Sequence, residues 1–279
     1  MTLHLRRLIF YILALLFLVV TPLLLAYTAG YRWSFTQKRL VTTGALSVET
    51  YPDNASIQIG MRNYAEHTPA LISNLLPGTY DITISKTGYY PWHKNLTVQN
   101  GKTTFAHEIV LFKQATPKPI DGASSLIPHS EIPDSFKDYK VIYNPKQEHI
   151  IVIDNANFRR VAEIAARAAV WRIKDTPLLF IYSPHEVWVF DPEHSTTTLL
   201  TRLVEEIRQV ITIPTRATAI LILNHRVLTT ELDLRDTQNT WELAQFDEIK
   251  NGSLAENGKS LLIAGTREGK TGIWQLELQ

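Results

Sequence analysis

The sequence predicts a mainly β protein: an N-terminal transmembrane helix, a small β-sandwich, then a β-propeller-like repeat domain. Three observations predict it. An uncharged apolar run lies near the N-terminus, apolar and polar residues alternate between turn signals through residues 44–112, and a strand pair recurs about every 41 residues in the C-terminal half. The 279 residues carry 28 Lys+Arg against 27 Asp+Glu, a net charge of +1, so no field-driven attraction to nucleic acid is expected. Hydrophobic residues make up 45% and charged residues 20%, a globular mixture that excludes wholesale disorder. Cysteine is absent, which excludes disulfides, thiolate nucleophiles, Cys-containing zinc sites, iron–sulfur clusters and a lipidated Cys.

From Leu8 to Gly30 no residue is charged, and Leu, Ile, Phe and Val dominate. About 20 residues rising about 1.5 Å each cross a hydrocarbon core of about 30 Å. Strongly apolar residues at about −0.3 to −0.6 kcal/mol each give an insertion term of roughly −4 to −8 kcal/mol, an upper bound because those are helix-centre values. Pro22 falls near the far end, where a membrane helix tolerates a kink. Tyr27, Tyr31 and Trp33 suit the interfacial aromatic belt. The competing reading is a cleaved secretory signal, with small residues at Ala26, Thr28 and Ala29. A cleaved apolar core spans about 7–15 residues, so this longer run predicts an uncleaved anchor. Arg6 and Arg7 flank one side and Arg32, Lys38 and Arg39 the other, which leaves the positive-inside count undecided. The tight Arg pair directly before the run resembles a signal-anchor start. The expectation is a single-pass protein of the cell membrane, N-terminus cytoplasmic and later domains extracytoplasmic, with residues 1–43 forming tail, helix (about 8–30) and juxtamembrane segment.

Strand-like alternation follows. Leu46 and Val48 alternate with polar neighbours, as do Ile57 and Ile59, then Tyr80, Ile82 and Ile84, then Leu96 and Val98, then Ile109 and Leu111. Turn signals separate them at Pro52-Asp53-Asn54, Pro77-Gly78, Lys86-Thr87-Gly88 and Asn100-Gly101. Asn-Gly between alternating runs predicts a hairpin, because both residues tolerate φ > 0. Residues 44–112 thus read as a compact β-sandwich, each strand burying one face.

The stretch Leu46-Ser47-Val48-Glu49-Thr50-Tyr51-Pro52-Asp53-Asn54-Ala55-Ser56-Ile57-Gln58-Ile59-Gly60 resembles the opening of a PEGA domain. Pro52 and Ala55 match the turn that names the family, while Asp53 and Asn54 stand where the name has Glu and Gly. Asn is the usual non-Gly choice at a left-handed position, so the turn can survive. Thr68-Pro69, Leu76-Pro77-Gly78-Thr79-Tyr80 and Lys86-Thr87-Gly88-Tyr89 resemble the later signature; Ile59 stands where an acidic residue often precedes the first hairpin's Gly. The resemblance implies a surface-associated β-module rather than an enzyme.

Residues 113–138, with Pro117, Pro119, Pro128 and Pro133, read as an extended connector. From residue 139 to 279 a unit recurs. Leu178-Leu179-Phe180-Ile181 precedes Val187-Trp188-Val189-Phe190, Ala219-Ile220-Leu221-Ile222 precedes Leu228-Thr229-Thr230-Glu231-Leu232, and Ser260-Leu261-Leu262-Ile263 precedes Ile273-Trp274-Gln275-Leu276. A shorter copy begins at His149-Ile150-Ile151-Val152. The period suits a four-stranded propeller blade. Glu256-Asn257-Gly258-Lys259 followed by Ser260-Leu261-Leu262-Ile263 resembles the turn-and-strand signature of TolB-type propeller repeats. The last copy reaches Gln279 with no room for an outermost strand, so a connector strand near Leu126 and Ile127 is expected to supply it. Phe158, Val161, Ile164, Ala165, Ala168 and Trp171 repeat at helical spacing, but the repeat register instead predicts strands near 160–165 and 168–173.

Chemical signatures mostly fail. His107-Glu108 and His185-Glu186 begin a zincin-like pattern, yet Leu111 and Val189 stand where the second His belongs. Ala264-Gly265-Thr266-Arg267-Glu268-Gly269-Lys270-Thr271 imitates a phosphate loop, but a strand follows where a helix is needed, and a hairpin turn is expected. Glu231, Asp233, Asp236 and Asn239 could suggest a calcium loop; without its mid-loop Gly and terminal Glu they read as surface carboxylates near a strand end. His67, His93, His129, His149, His194 and His225 are scattered, so no metal, cofactor or catalytic residue is assigned. Tyr89, Tyr90 and Trp92 form the one candidate ligand-stacking cluster, weighed against the reading that these rings fill the core and cover an edge.

The function expected from this is non-catalytic: a membrane-anchored protein whose β-domains bind an envelope protein or wall polymer, its bilayer contact being the helix. The alternatives are a propeller-type glycan hydrolase or lyase, which a pocket of carboxylates with His would favour, and an envelope sensor. Because about seven residues precede the run, such a sensor would act through a partner.

Overall fold

The computed structural model describes residues 3–34, 38–120, 135–136, 138–172, 177–214, 216–255 and 258–279. The apolar run forms α1 (Leu3–Thr28), with Pro22 inside it. The segment Leu5–Thr28 is long and apolar enough to cross a membrane, and none of it is buried by the rest of the chain. The helix stops at Gly30, whose φ of 83° is a left-handed conformation that glycine adopts without penalty. A hairpin follows, β1 (Tyr31–Ser34) paired with β2 (Arg39–Thr42).

The sandwich comprises β3 (Gly44–Tyr51), β4 (Ser56–Ile59), β5 (Arg62–His67), β6 (Ala70–Leu75), β7 (Gly78–Ser85), β8 (Trp92–Val98) and β9 (Thr103–Val110). One sheet runs β6-β3-β9, the other β5-β4-β7-β8. Their inner faces share one core, in which Leu46, Val48, Ile57, Ile82, Ile84, Leu96 and Val98 are buried. Each such side chain contributes about 1.5–3 kcal/mol on burial. Asn54 takes φ 62° in the expected tight turn. Asn100-Gly101, by contrast, makes no hairpin. It carries the chain from the β8 edge of one sheet to the other, where β9 pairs in parallel with β3. Gly44 makes that crossing possible: a Cβ there would lie 2.5 Å from the Gln99 carbonyl oxygen and from Val98 Cγ1.

The connector is partly built into the fold. Residues 118–120 form β10 (Lys118–Ile120), which pairs antiparallel with the final strand of the chain. Pro119 lacks an N–H and suits this outermost position. A connector strand therefore does complete the last sheet, but at 118–120; Leu126 and Ile127 lie outside the described residues.

Four antiparallel four-stranded sheets complete the molecule. The first holds β11 (Ser135–Phe136), β12 (Tyr139–Asn144), β13 (His149–Asp154) and β14 (Arg159–Ala165). The second holds β15 (Ala168–Arg172), β16 (Leu178–Tyr182), β17 (Glu186–Asp191) and β18 (Thr196–Arg202). The third holds β19 (Ile207–Thr212), β20 (Thr218–Leu223), β21 (Arg226–Glu231) and β22 (Thr240–Gln245). In the fourth, β23 (Glu248–Leu254), β24 (Ser260–Arg267) and β25 (Lys270–Glu277) are joined by β10. Separate cores join the first sheet to the second, the second to the third, and the third to the fourth. The recurring strand pairs are the β16–β17, β20–β21 and β24–β25 hairpins; the equivalent pair in the first sheet is β12–β13, so the earlier copy begins at Tyr139 and His149 opens its second strand rather than its first. The alanine-rich stretch is strand on both sides of residues 166–167, because ladder partners in β13 and β16 outweigh helix propensity. Of the repeat's turn signature, Glu256 and Asn257 lie outside the described residues.

Candidate functional site

Strand β8 places Trp92, Lys94, Leu96 and Val98 on its buried face and His93, Asn95 and Thr97 outward. Lys94 thus occupies an apolar position and is 0% exposed. Desolvating an ammonium costs several kcal/mol unless charge and hydrogen bonds compensate. The compensation comes from the third sheet of the repeat domain. Lys94 Nζ lies 2.6 Å from Glu231 Oε1 and 3.6 Å from Asp233 Oδ2, and donates to the Asp233 carbonyl oxygen at 2.7 Å.

Glu231 ends β21 and is itself buried. Its Oε2 accepts the Trp92 indole N–H at 2.7 Å, and its Oε1 accepts the backbone N–H and side-chain amide of Asn239 at 2.9 and 2.8 Å. Burial opposes ionisation of Asp233, but hydrogen bonds from Arg235 and the Lys94 charge outweigh it and hold the carboxyl below its ordinary range. Asp236 is held low too, first by the backbone N–H of Asn95.

These contacts solve an edge problem. β8 is the outer strand of its sheet, and an open edge offers unpaired N–H and C=O groups to other chains. Side chains of the loop after β21 take the place of a neighbouring strand. Asp236 accepts from the Asn95 backbone N–H at 2.8 Å, and the Asn239 amide accepts from the His93 N–H at 3.4 Å and donates to its carbonyl oxygen at 2.9 Å. Trp241 donates to the Pro91 carbonyl oxygen at 3.0 Å and packs against the cores of both the sandwich and the last two sheets. The Arg216 guanidinium lies 3.6 Å from the centre of the Tyr51 ring. Val110 and Phe112 of the sandwich's end belong to the repeat-domain core. Sandwich and repeats are therefore joined by a seam with a protein-like interior. A cleft of about 510 Å³ opens beside it, lined by Lys102, Phe105, Arg235 and Asp236 among others.

The expected stacking cluster is drawn into this seam. Trp92 is 1% exposed with its N–H committed to Glu231, so it has no ring face for a ligand. Tyr89 packs on the sandwich core and Tyr90 on the repeat-domain core, both half-buried. Glu231 and Asp233 converge on Lys94, while Asp236 and Asn239 bond the β8 edge at Asn95 and His93. Glu231 is not the surface carboxylate expected, because Lys94 supplies the charge that lets it leave water. Among the described residues no group of three or more His, Asp and Glu side chains is placed to hold a metal ion. The phosphate-loop imitation is a two-residue turn at Glu268-Gly269, both in left-handed conformation, between Arg267 and Lys270. His107 meets Ser47 at 2.8 Å, with Glu49 3.9 Å from its other nitrogen. Ser47 sits inside the central strand β3, paired with β6 on one side and β9 on the other. Lys94 was the residue that sequence reasoning passed over. Its signal was parity, a cation in phase with Trp92, Leu96 and Val98.

Residues 43–111 match the PEGA domain family. No curated protein matches the chain. Among solved structures, a complex of KlAtg21 with the coiled-coil of AgAtg16 is similar at 10% identity and a TM-score of 0.37, over 82% of this chain and 64% of that one. Hsv2p of Kluyveromyces lactis is similar at 12% identity and 0.34, over 70% and 67%. An extracellular domain from a B. thetaiotaomicron two component system is similar at 9% identity and 0.35, over 88% and 31%. The chain thus spans less than two thirds of the first of these structures, and scores this low leave the fold to rest on the strand pairing itself. The left-handed Asn54 turn, the two packed sheets of β3–β9 and the match over residues 43–111 converge: the sandwich that follows the apolar helix is a PEGA domain.

Proposed function

We propose that this is a single-pass membrane protein, N-terminus cytoplasmic, whose extracytoplasmic PEGA domain and four-bladed, propeller-like head bind an envelope protein or wall polymer without catalysing a reaction. The observation that carries the reading is the buried Lys94–Glu231 pair. It joins the PEGA domain to the third blade as one body, so the head is held at a set height and angle above the anchor. A scaffold for recognition benefits from that rigidity, since loops on a fixed frame lose less entropy on binding. The non-catalytic reading is supported by what the carboxylates do: Glu231, Asp233 and Asp236 are occupied by Lys94, Arg235 and Asn95. The anchor reading is supported by the helix end. Arg32 donates to the Tyr27 carbonyl oxygen at 2.7 Å and stacks 3.6 Å from the Tyr27 ring, tying the helix to the folded domain.

Crosslinking in intact cells followed by pull-down, with protease protection on the same cells, tests the proposal. Protease added outside should digest residues 43–279, and crosslinks should carry one recurrent envelope protein or polymer. Digestion only after lysis would reverse the orientation. Turnover of a glycan by the purified protein, lost when Asp or Glu side chains are neutralised without unfolding, would overturn the non-catalytic reading.

A further inference from the structure

The β1–β2 hairpin is patterned inside out. Its inner face buries Ser34 and Val41, while Thr42, the register partner of Tyr31 at the end of the opposite face, bonds Asn100 of the PEGA domain at 2.5 Å. Its outer face carries Tyr31, Trp33 and Leu40 at 45%, 51% and 61% exposure. Trp33 and Leu40 are direct partners in the register, and Tyr31 lies two residues along the same side. A sheet face turned to water is ordinarily polar. This one is aromatic and aliphatic, and it follows the membrane helix with only Ala29 and Gly30 between.

We propose that this face lies flat on the bilayer that α1 spans, with Tyr31, Trp33 and Leu40 set into the interfacial layer. The proposal rests on the anchor reading above, and continuity with the helix is what selects lipid as the occupant. The interfacial layer is only about 5–8 Å deep beyond the hydrocarbon, and a strand rising about 3.3 Å per residue would leave it within a few residues if it stood upright. Upright, Tyr31 and the Trp33–Leu40 pair would be spread over about 6.6 Å, nearly the whole of that depth, whereas a strand lying along the surface holds all three at one level. Trp and Tyr prefer that layer, where an apolar ring and a polar N–H or O–H are both served. Exposed Lys38, beside β2, suits the headgroups. The hairpin is fixed to both neighbours: the Thr43 N–H donates to the Gly30 carbonyl oxygen at 2.9 Å, and Arg32 reaches Asn74 of β6 at 3.5 Å. A hairpin lying on the membrane therefore sets the tilt of the PEGA domain and, through the Lys94 seam, of the blades.

The chain has no cysteine, so single labels can be placed cleanly. Full-length Trp33→Cys, Leu40→Cys, Leu16→Cys and Met61→Cys, each spin-labelled in phosphatidylcholine–phosphatidylglycerol nanodiscs, would be compared for collisions with oxygen and with a water-soluble nickel chelate. All four positions are exposed, so the label displaces no core. The expected result is a loss of nickel access and a gain of oxygen access at 33 and 40 relative to 61, approaching the values at 16. Labels at 33 and 40 that match 61 while 16 stays in lipid would overturn the proposal alone. A label at 16 in water would overturn the anchor reading with it. Shielding of 33 and 40 from both reagents would mean a protein cover and would also overturn it.

Discussion

The PEGA domain meets the rest of the chain at two ends made of opposite materials. At the end that meets the third four-stranded sheet, a lysine and the Glu231 carboxylate are taken out of water, with Asp233 half-buried beside them. At the helix end an aromatic face is left uncovered. Either pattern in isolation violates the rule that apolar residues go inside and charges stay out. The difference teaches that the violation names the neighbour: a buried charge points to its counter-charge elsewhere in the chain, and an exposed apolar face points to a cover outside the folded domain.

The sharpest way to break the comparison is at Lys94. Lys94→Ala leaves Glu231 buried without its cation and should cost about 3–5 kcal/mol in chemical denaturation. Calorimetry should then resolve the PEGA domain and the repeated sheets as two transitions instead of one. A Lys94→Met, Glu231→Leu double variant should cost less than either single change, because no orphan charge remains. Equal, additive losses would show that the pair is not coupled.

Gly44 tests the crossing that brings β8 and β9 to the seam. Gly44→Ala places a methyl 2.5 Å from the Gln99 carbonyl oxygen, and overpacking of this kind should cost about 1–3 kcal/mol. An unchanged denaturation midpoint would refute the close approach.

Acid should loosen the Lys94 end and spare the helix end. Asp233 and Asp236 are held below their ordinary values in the folded state, so the unfolded chain binds more protons as pH falls. Their contribution is fully present above the ordinary carboxylate range and is lost as pH drops through the depressed folded values. Protection of the His93 and Asn95 amides, taken relative to the intrinsic exchange rate at each pH, should fall in that window, while protection in β1 and β2 should not. The smallest effect is expected far from both ends. Glu268→Asn in the β24–β25 turn places a residue suited to left-handed φ before Gly269, and should raise stability by about 0.5 kcal/mol.

Much of the fold was readable because its signals are local. Alternation at Leu46 and Val48 or Ile82 and Ile84 reports one buried face wherever the partner strand lies, and the helix needed only a run of uncharged residues. Repeat spacing resolved the alanine-rich stretch correctly against its own propensity. Asn100-Gly101 misled because a turn signal says that the chain reverses, not which sheet receives it. The site was largely hidden. Trp92 and Glu231 are 139 positions apart, and no pattern near either one announces the other.

By itself, then, the sequence determined the apolar helix, the strands with their buried faces, the PEGA turn and the period of the repeated sheets. Each depends on residues within one turn or one strand. Only the tertiary structure decided that Trp92 is closed to ligands, that residues 118–120 complete the last sheet, and that the acidic loop after β21 serves Lys94 and the β8 edge. Those outcomes depend on which distant charges and open edges come within about 3 Å of each other, and that is a property of the packed chain rather than of any segment of it.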